Sequence, residues 1–231
     1  MPRPEKPQSF NNLSVLPEKF ISNLFREASV VAFRDGQVLF RAGDAGDGCY
    51  RLHRGLVKVM VTSKQGEERI VSLLGPGAIV GELSMIDGGP RSASVVAIAD
   101  CSLSFVSRAK FQKFSDSDPE LMGYVVKTLA RRLREADDAL AAATFLSVKG
   151  RLARALLNIA QYAGEAKGGR IELRLKIAQA DLAAMAGVAR ENVSRTMSDW
   201  RKRNIVTRST SSTYYCINDP VALARETEVV D

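Results

Sequence analysis

Apolar residues recur at steps of four and three through the middle of the chain: Met122, Val126, Leu129, Leu133, Ala136, Leu140 and Ala143. This is a heptad seam held over three repeats, and it predicts one long helix over 118–145 able to pack lengthwise against a second helix. Asp118 can cap its start. Pro119 suits the first helical position, where a missing N–H costs nothing, and Glu120 favours the positive end of the helix dipole. At about 1.5 Å per residue the helix would run roughly 40 Å, enough to join two domains and pair two subunits.

Before the helix the pattern is different. Residues 17–27 fit a short helix with Phe20, Leu24 and Phe25 on one side, after a Pro-rich, polar stretch over 1–12 that reads as a loose arm. From Val30 to Phe105 short β-rich runs alternate with glycine-bearing turns, among them Val38–Phe40, Tyr50–Leu52, Leu56–Val61, Arg69–Leu74, Ala93–Ile98 and Ser102–Val106. Many short strands at regular spacing predict a sandwich or jelly roll, not a parallel α/β sheet. Arg108–Phe114 reads as a short helix leading into the long one. Beyond Phe145, Ser147 can cap a helix to about Tyr162 that buries Leu152, Leu156 and Ile159 and ends at Gly164 and Gly168–Gly169. Residues 171–217 then read as a strand, a helix–turn–helix and a two-stranded wing. The expected class is α+β: a β jelly roll within 1–117, a dimerisation helix over 118–146 and a winged helix–turn–helix within 147–231.

Charge sharpens this division. The chain carries +7, yet 147–208 holds 13 Lys/Arg against 5 Asp/Glu, a surplus of eight that leaves −1 for the remainder. A basic C-terminal segment on a near-neutral body points to a polyanion partner for that end. No apolar run reaches membrane-spanning length, and the N-terminus lacks the apolar core of a signal peptide. The three cysteines (Cys49, Cys101 and Cys216) are too scattered for a metal cluster, and the one histidine, His53, has no evident catalytic partner. No nucleophile–base pair or Walker loop is present, so no enzyme and no metal is expected.

Two stretches carry chemistry. In Gln179–Met197 a small Ala183, a turn glycine at Gly187 and apolar Val193 and Met197, with Leu182 and Met185, meet the demands of two crossing helices. The second helix, from about Arg190 to Arg203, would present Arg190, Glu191 and Arg195 at its exposed N-terminal end, the end that enters a major groove in this motif. Arg can donate two hydrogen bonds to guanine O6 and N7, and Glu can accept from cytosine N4. Lys202, Arg203 and Arg208 are assigned to phosphates. The other stretch is Gly81–Ala93, with glycines for close backbone approach and a helical turn after Gly81. In it Arg91 offers a planar fork for a phosphodiester, Ser92 a hydroxyl, and Glu82 an acceptor for a sugar hydroxyl.

The run Gly81-Glu82-Leu83 through Pro90-Arg91-Ser92-Ala93 resembles the phosphate-binding cassette of cyclic-nucleotide-binding domains. Arg190-Glu191-Asn192-Val193-Ser194-Arg195 resembles the recognition helix of bacterial Crp/Fnr-type regulators, and the order of the three parts is theirs too. The resemblance implies a cytoplasmic homodimer that binds cyclic AMP in each jelly roll. Glu82 would take the ribose 2′-OH, Arg91 and Ser92 the cyclic phosphate with backbone at Gly81, and Val59 and Val71 would wall the base. It also implies that Arg190, Glu191 and Arg195 read a TGTGA-type half-site and its symmetry mate, flanked by Asn192, and that RNA polymerase is a partner. The match looks closer to the cyclic AMP receptor branch than to the iron–sulfur branch, whose cysteine cluster is absent.

Two departures from the family pattern bear on the ligand and on the helix start. Where that branch carries a Thr and a Ser reaching the adenine from the long helix, Ala136 and Asp137 stand here. An acceptor-only carboxylate can take the adenine amino group, or N1–H and the 2-amino group of guanine together. Asp137, with Asp138 beside it, therefore leaves cyclic GMP open, alone or with cyclic AMP, unless both aspartates are simply solvated. Ala189 replaces a serine common at the start of the recognition helix, a lost cap worth about 1 kcal/mol.

Overall fold

The computed structural model describes residues 17–208 and 214–228; the loose arm expected over 1–12 lies outside them. The chain divides into two compact units. One comprises 17–67 and Val71–Ala136, the other Glu68–Ile70 and the chain from Asp137 onward. The division falls inside the long helix and not at its start.

The first unit begins with α1 (Glu18–Leu24), which buries Phe20, Ile21 and Leu24. Two four-stranded antiparallel sheets follow. One has the order β1 (Ser29–Phe33), β8 (Cys101–Ser107), β3 (Gly48–Arg54), β6 (Ile79–Val80). The other is β2 (Val38–Phe40), β7 (Ser94–Ala97), β4 (Val57–Thr62), β5 (Glu68–Leu74). Their inner faces supply one core, including Leu52, Val57, Leu74, Val80, Val95, Ala97 and Leu103. Between β6 and β7 the chain makes α2 (Glu82–Asp87), the helical turn expected after Gly81.

A second core joins this roll to its helices. Phe20, Leu24, Cys49, Ile79, Met85 and Phe111 pack with Leu121 and Val125, from α3 (Arg108–Ser117) and the long α4 (Glu120–Phe145). Asp118 does cap α4, its Oδ1 accepting from the Glu120 N–H at 3.2 Å. Most of the heptad seam lies on a different side of α4 from Leu121 and Val125, while its Leu129 packs against their core. Leu133 and Leu140 are 64% and 68% exposed, with Met122 and Val126 also exposed.

In the second unit α5 (Val148–Ala163) is capped by Ser147, whose Oγ accepts from Gly150 N–H at 3.0 Å. Gly164 ends α5 as expected, standing at its C-cap with its N–H donating to Ala160 O, while Gly168 and Gly169 build a hairpin. β9 (Gly164–Lys167) pairs with β10 (Arg170–Leu173), and Gly168 and Gly169 turn with φ of +59° and +79°. Two consecutive positive φ values fit a type I′ turn, which matches the twist of the flanking strands. A four-stranded sheet results, β11 (Val206–Arg208), β12 (Tyr215–Ile217), β10, β9: the expected strand and two-stranded wing are present, joined in one sheet with β9 added. A last helix, α8 (Pro220–Arg225), was not expected, although Asp219 caps it and Pro220 opens it.

Candidate ligand pocket and nucleic-acid interface

The pocket forms where α2 meets the two sheets. Phe40, Val59, Gly81, Glu82, Leu83, Arg91, Ser92 and Arg132 are among its lining residues. Gly81 takes φ of +81°, and a Cβ at that position would collide with Arg91 Nη1. Glycine is therefore needed twice over, for the left-handed backbone and for the close approach. The chain before the site is tied to it by a backbone clamp: Gly43 N–H donates to Arg91 O at 2.8 Å, and Arg91 N–H to Asp44 O at 2.9 Å.

Arg91 is only 3% exposed. Its Nη1 donates to Gly48 O at 2.7 Å and Gly81 O at 2.8 Å, its Nη2 donates to Asp47 Oδ1 at 2.8 Å, and its guanidinium lies 4.3 Å from the Phe40 ring centre. Its Nε is buried with no partner. Asp47 balances its charge, but a buried donor left unused is costly in a protein interior, and an anion in the pocket would take it.

Glu82 is also buried and forms an ion pair with Arg132 from α4. Burial pushes its carboxyl above the usual range, while the Arg132 charge and, more weakly, the Arg91 charge pull it back. The sugar-hydroxyl acceptor is thus already held by a guanidinium from the long helix. Sequence reasoning missed Arg132, Asp47 and Phe40. For Arg132 a signal was present: it continues the buried stripe of Leu121, Val125 and Thr128, where another apolar residue would be ordinary.

The remaining expected ligand residues are placed differently. Val71 is 55% exposed and is not part of the lining. Ala136 and Asp137 are exposed on α4, one and a bit turns beyond Arg132, and do not line the pocket either. His53 Nε2 lies 2.6 Å from Ser104 Oγ on the roll, away from these residues. The three cysteines are free, and burial raises the pKa of each.

In the second unit α6 (Gln179–Ala186) ends at Gly187, whose φ is +60°, and α7 (Arg190–Lys202) follows after two residues. Leu182, Ala186, Val193, Met197 and Trp200 are buried and lock α7 in place. Ala189 stands at the N-cap of α7 with no side-chain cap hydrogen bond. On the outer side Glu191, Ser194, Arg195, Ser198, Asp199 and Lys202 line one open face, and Arg190 is exposed in the first turn. Asn192 is half-buried. Arg203, expected on a phosphate, is engaged by two carboxylates, Glu226 at 2.9 Å and Asp199 at 3.6 Å.

The comparisons agree with both halves of this description. Residues 30–118 match the cyclic nucleotide-binding domain family, and residues 150–226 match the Crp-like helix-turn-helix domain family. The chain is 31% identical to a CRP-like cAMP-activated global transcriptional regulator of Mycobacterium tuberculosis, over 89% of this chain and 91% of that protein. It is 35% identical to the cyclic AMP receptor protein of Thermus thermophilus, over 75% of this chain and 77% of that protein. Among solved structures, a CRP/FNR family transcriptional regulator from Thermus thermophilus superposes with a TM-score of 0.72 at 24% identity, covering 86% of this chain and 98% of that one. The chain belongs to the Crp/Fnr family: it is a cyclic nucleotide-binding, DNA-binding transcription regulator and not an enzyme.

Proposed function

We propose that this regulator is a homodimer that binds cyclic AMP in each roll and, so loaded, binds a palindromic TGTGA-type operator. The observation that carries the reading is the pair of buried charges in one pocket. Arg91 holds an unpartnered Nε, and Glu82 is bridged to the long helix by Arg132. A cyclic phosphodiester supplies the anion that Arg91 Nε lacks, with Ser92 and the Gly81 backbone beside it. Its ribose hydroxyl competes with Arg132 for the Glu82 carboxylate. That competition passes ligand occupancy to α4, because the ion pair is the polar link between the cassette and the helix.

Pairing along α4 follows from its unburied seam. Met122, Val126, Leu133 and Leu140 are exposed large apolar side chains at heptad spacing, and a second copy of the helix would cover them. A ligand that favours one of two arrangements of the pair shifts the population only by its differential affinity for them. In the favoured arrangement the two α7 helices sit about one DNA turn apart, roughly 34 Å. Arg190, Glu191 and Arg195 then read base edges, with Asn192 beside them and Lys202 on a phosphate. The relatives named above are cAMP-activated or cyclic AMP-binding by name, which supports cyclic AMP as the ligand. Working in the cytoplasm and contact with RNA polymerase belong to the same reading. No described helix is long and apolar enough to cross a membrane.

Asp137 decides how far cyclic GMP shares the site. If its carboxylate reaches the base across the dimer, Asp137→Ala weakens the binding of at least one nucleotide about ten- to 150-fold, the worth of one hydrogen bond to a charged acceptor. Calorimetric titration of the parent protein and the variant with cyclic AMP and cyclic GMP measures this. Unchanged affinity for both would make Asp137 a solvated residue, and failure of either nucleotide to bind the parent would remove the ligand from the account.

A further inference from the structure

The C-terminal end of α7 is wrapped in a charge network that the reading above does not use. Lys149 on α5 reaches Asp199 Oδ2 at 2.8 Å, Asp199 lies 3.6 Å from Arg203 Nη1, and Arg203 Nη1 donates to Glu226 Oε1 at 2.9 Å. Glu226 Oε1 also accepts from Trp200 Nε1 at 3.3 Å, and Trp200 is fully buried. The segment carrying Glu226 is pressed against α5, since a Cβ on Gly150 would stand 2.6 Å from Glu226 O. Two cations and two anions cancel beside the face that carries Arg195 and Lys202. Asp199 is held below the usual carboxylate range, chiefly by its hydrogen bond from Lys149, so its charge persists at neutral pH.

We propose that Glu226 masks Arg203 from the DNA backbone and so raises sequence discrimination by suppressing binding to any duplex. The physical reason is that each phosphate neutralised adds sequence-independent affinity through counterion release, with log K falling by about 0.9 per unit of log[salt] per contact. A guanidinium beside the reading face would add such a contact to right and wrong sites alike. Glu226 occupies it instead, and keeps its second role as acceptor for the buried indole N–H. The inference rests on α7 being the helix that meets DNA.

The test uses the full chain with saturating cyclic AMP and two duplexes of equal length, one a palindrome of two TGTGA half-sites and one with the half-sites scrambled. Affinities are measured across a salt series for the parent, Glu226→Gln, Glu226→Asp and the double variant Glu226→Gln/Arg203→Gln. Gln keeps an acceptor for Trp200 but loses the charge; Asp keeps the charge. With Glu226→Gln, affinity for the scrambled duplex should rise several-fold, the salt slope should steepen by about 1.8, one phosphate contact from each subunit, and discrimination should fall. Glu226→Asp should retain the parental slope, and the double variant should return to it. An unchanged slope in Glu226→Gln would overturn the proposal, as would weaker binding of both duplexes, which would mean that Glu226 only braces the fold. Absence of binding by the parent to either duplex would instead strike at α7 as the DNA-reading helix.

Discussion

Arg91→Ala is expected to lower the affinity for cyclic AMP about a hundredfold or more while the regulator still folds. A hydrogen bond to a charged group is worth about 1.5–3 kcal/mol, and removing a buried partner of a charge costs about 2–5 kcal/mol. Every 1.4 kcal/mol is tenfold in affinity. The variant also leaves Gly48 O and Gly81 O without their donor, so its melting temperature should fall too. Arg91→Lys separates the two effects, because it keeps the charge and loses the fork; it should recover part of the binding. The measurement is calorimetric titration together with a thermal melt. Parental nucleotide affinity in Arg91→Ala would mean that the phosphate is held elsewhere.

The second large effect is expected on the recognition helix. Glu191→Ala should reduce discrimination between a TGTGA palindrome and a variant with the contacted G·C pair changed, by about 1–3 kcal/mol. Its binding to scrambled DNA should stay nearly constant or strengthen, since a negative charge leaves the interface. Lys202→Ala should weaken all sequences alike and flatten the salt slope by about 1.8, the loss of one phosphate contact from each subunit. Gel-shift titrations over a salt series distinguish the two. Exchanged phenotypes would mean that α7 lies differently in the groove.

Much of this architecture was legible because local rules and tertiary demands agree in the chain. The heptad seam, the Asp118 and Ser147 caps and the glycine-broken strands each point to the element that forms. The cassette was readable because Gly81 and Arg91 need each other: the guanidinium occupies the space a Cβ would take. Where reading failed, one residue type supports two structures. Gly168 and Gly169 suit the stretch after a helix and equally a type I′ hairpin, and the pairing of β10 with β12 is a long-range fact no local pattern holds. Arg132 escaped because its role depends on the burial of Glu82, 50 residues away in sequence, which gives it a partner. Arg203 was assigned to DNA by charge and position; of the two carboxylates that engage it, Asp199 is four residues back and within a local pattern, but Glu226 is 23 residues on and beyond one.

The most direct test of the account is a DNA-binding titration of the purified parent protein on the two-half-site TGTGA duplex, with and without saturating cyclic AMP. A ligand that links the cassette to α4 through Glu82 and Arg132 should tighten operator binding about five- to 150-fold, the usual range of such coupling, and leave binding to a scrambled duplex much less affected. Equal operator affinity in the presence and absence of the nucleotide would contradict it.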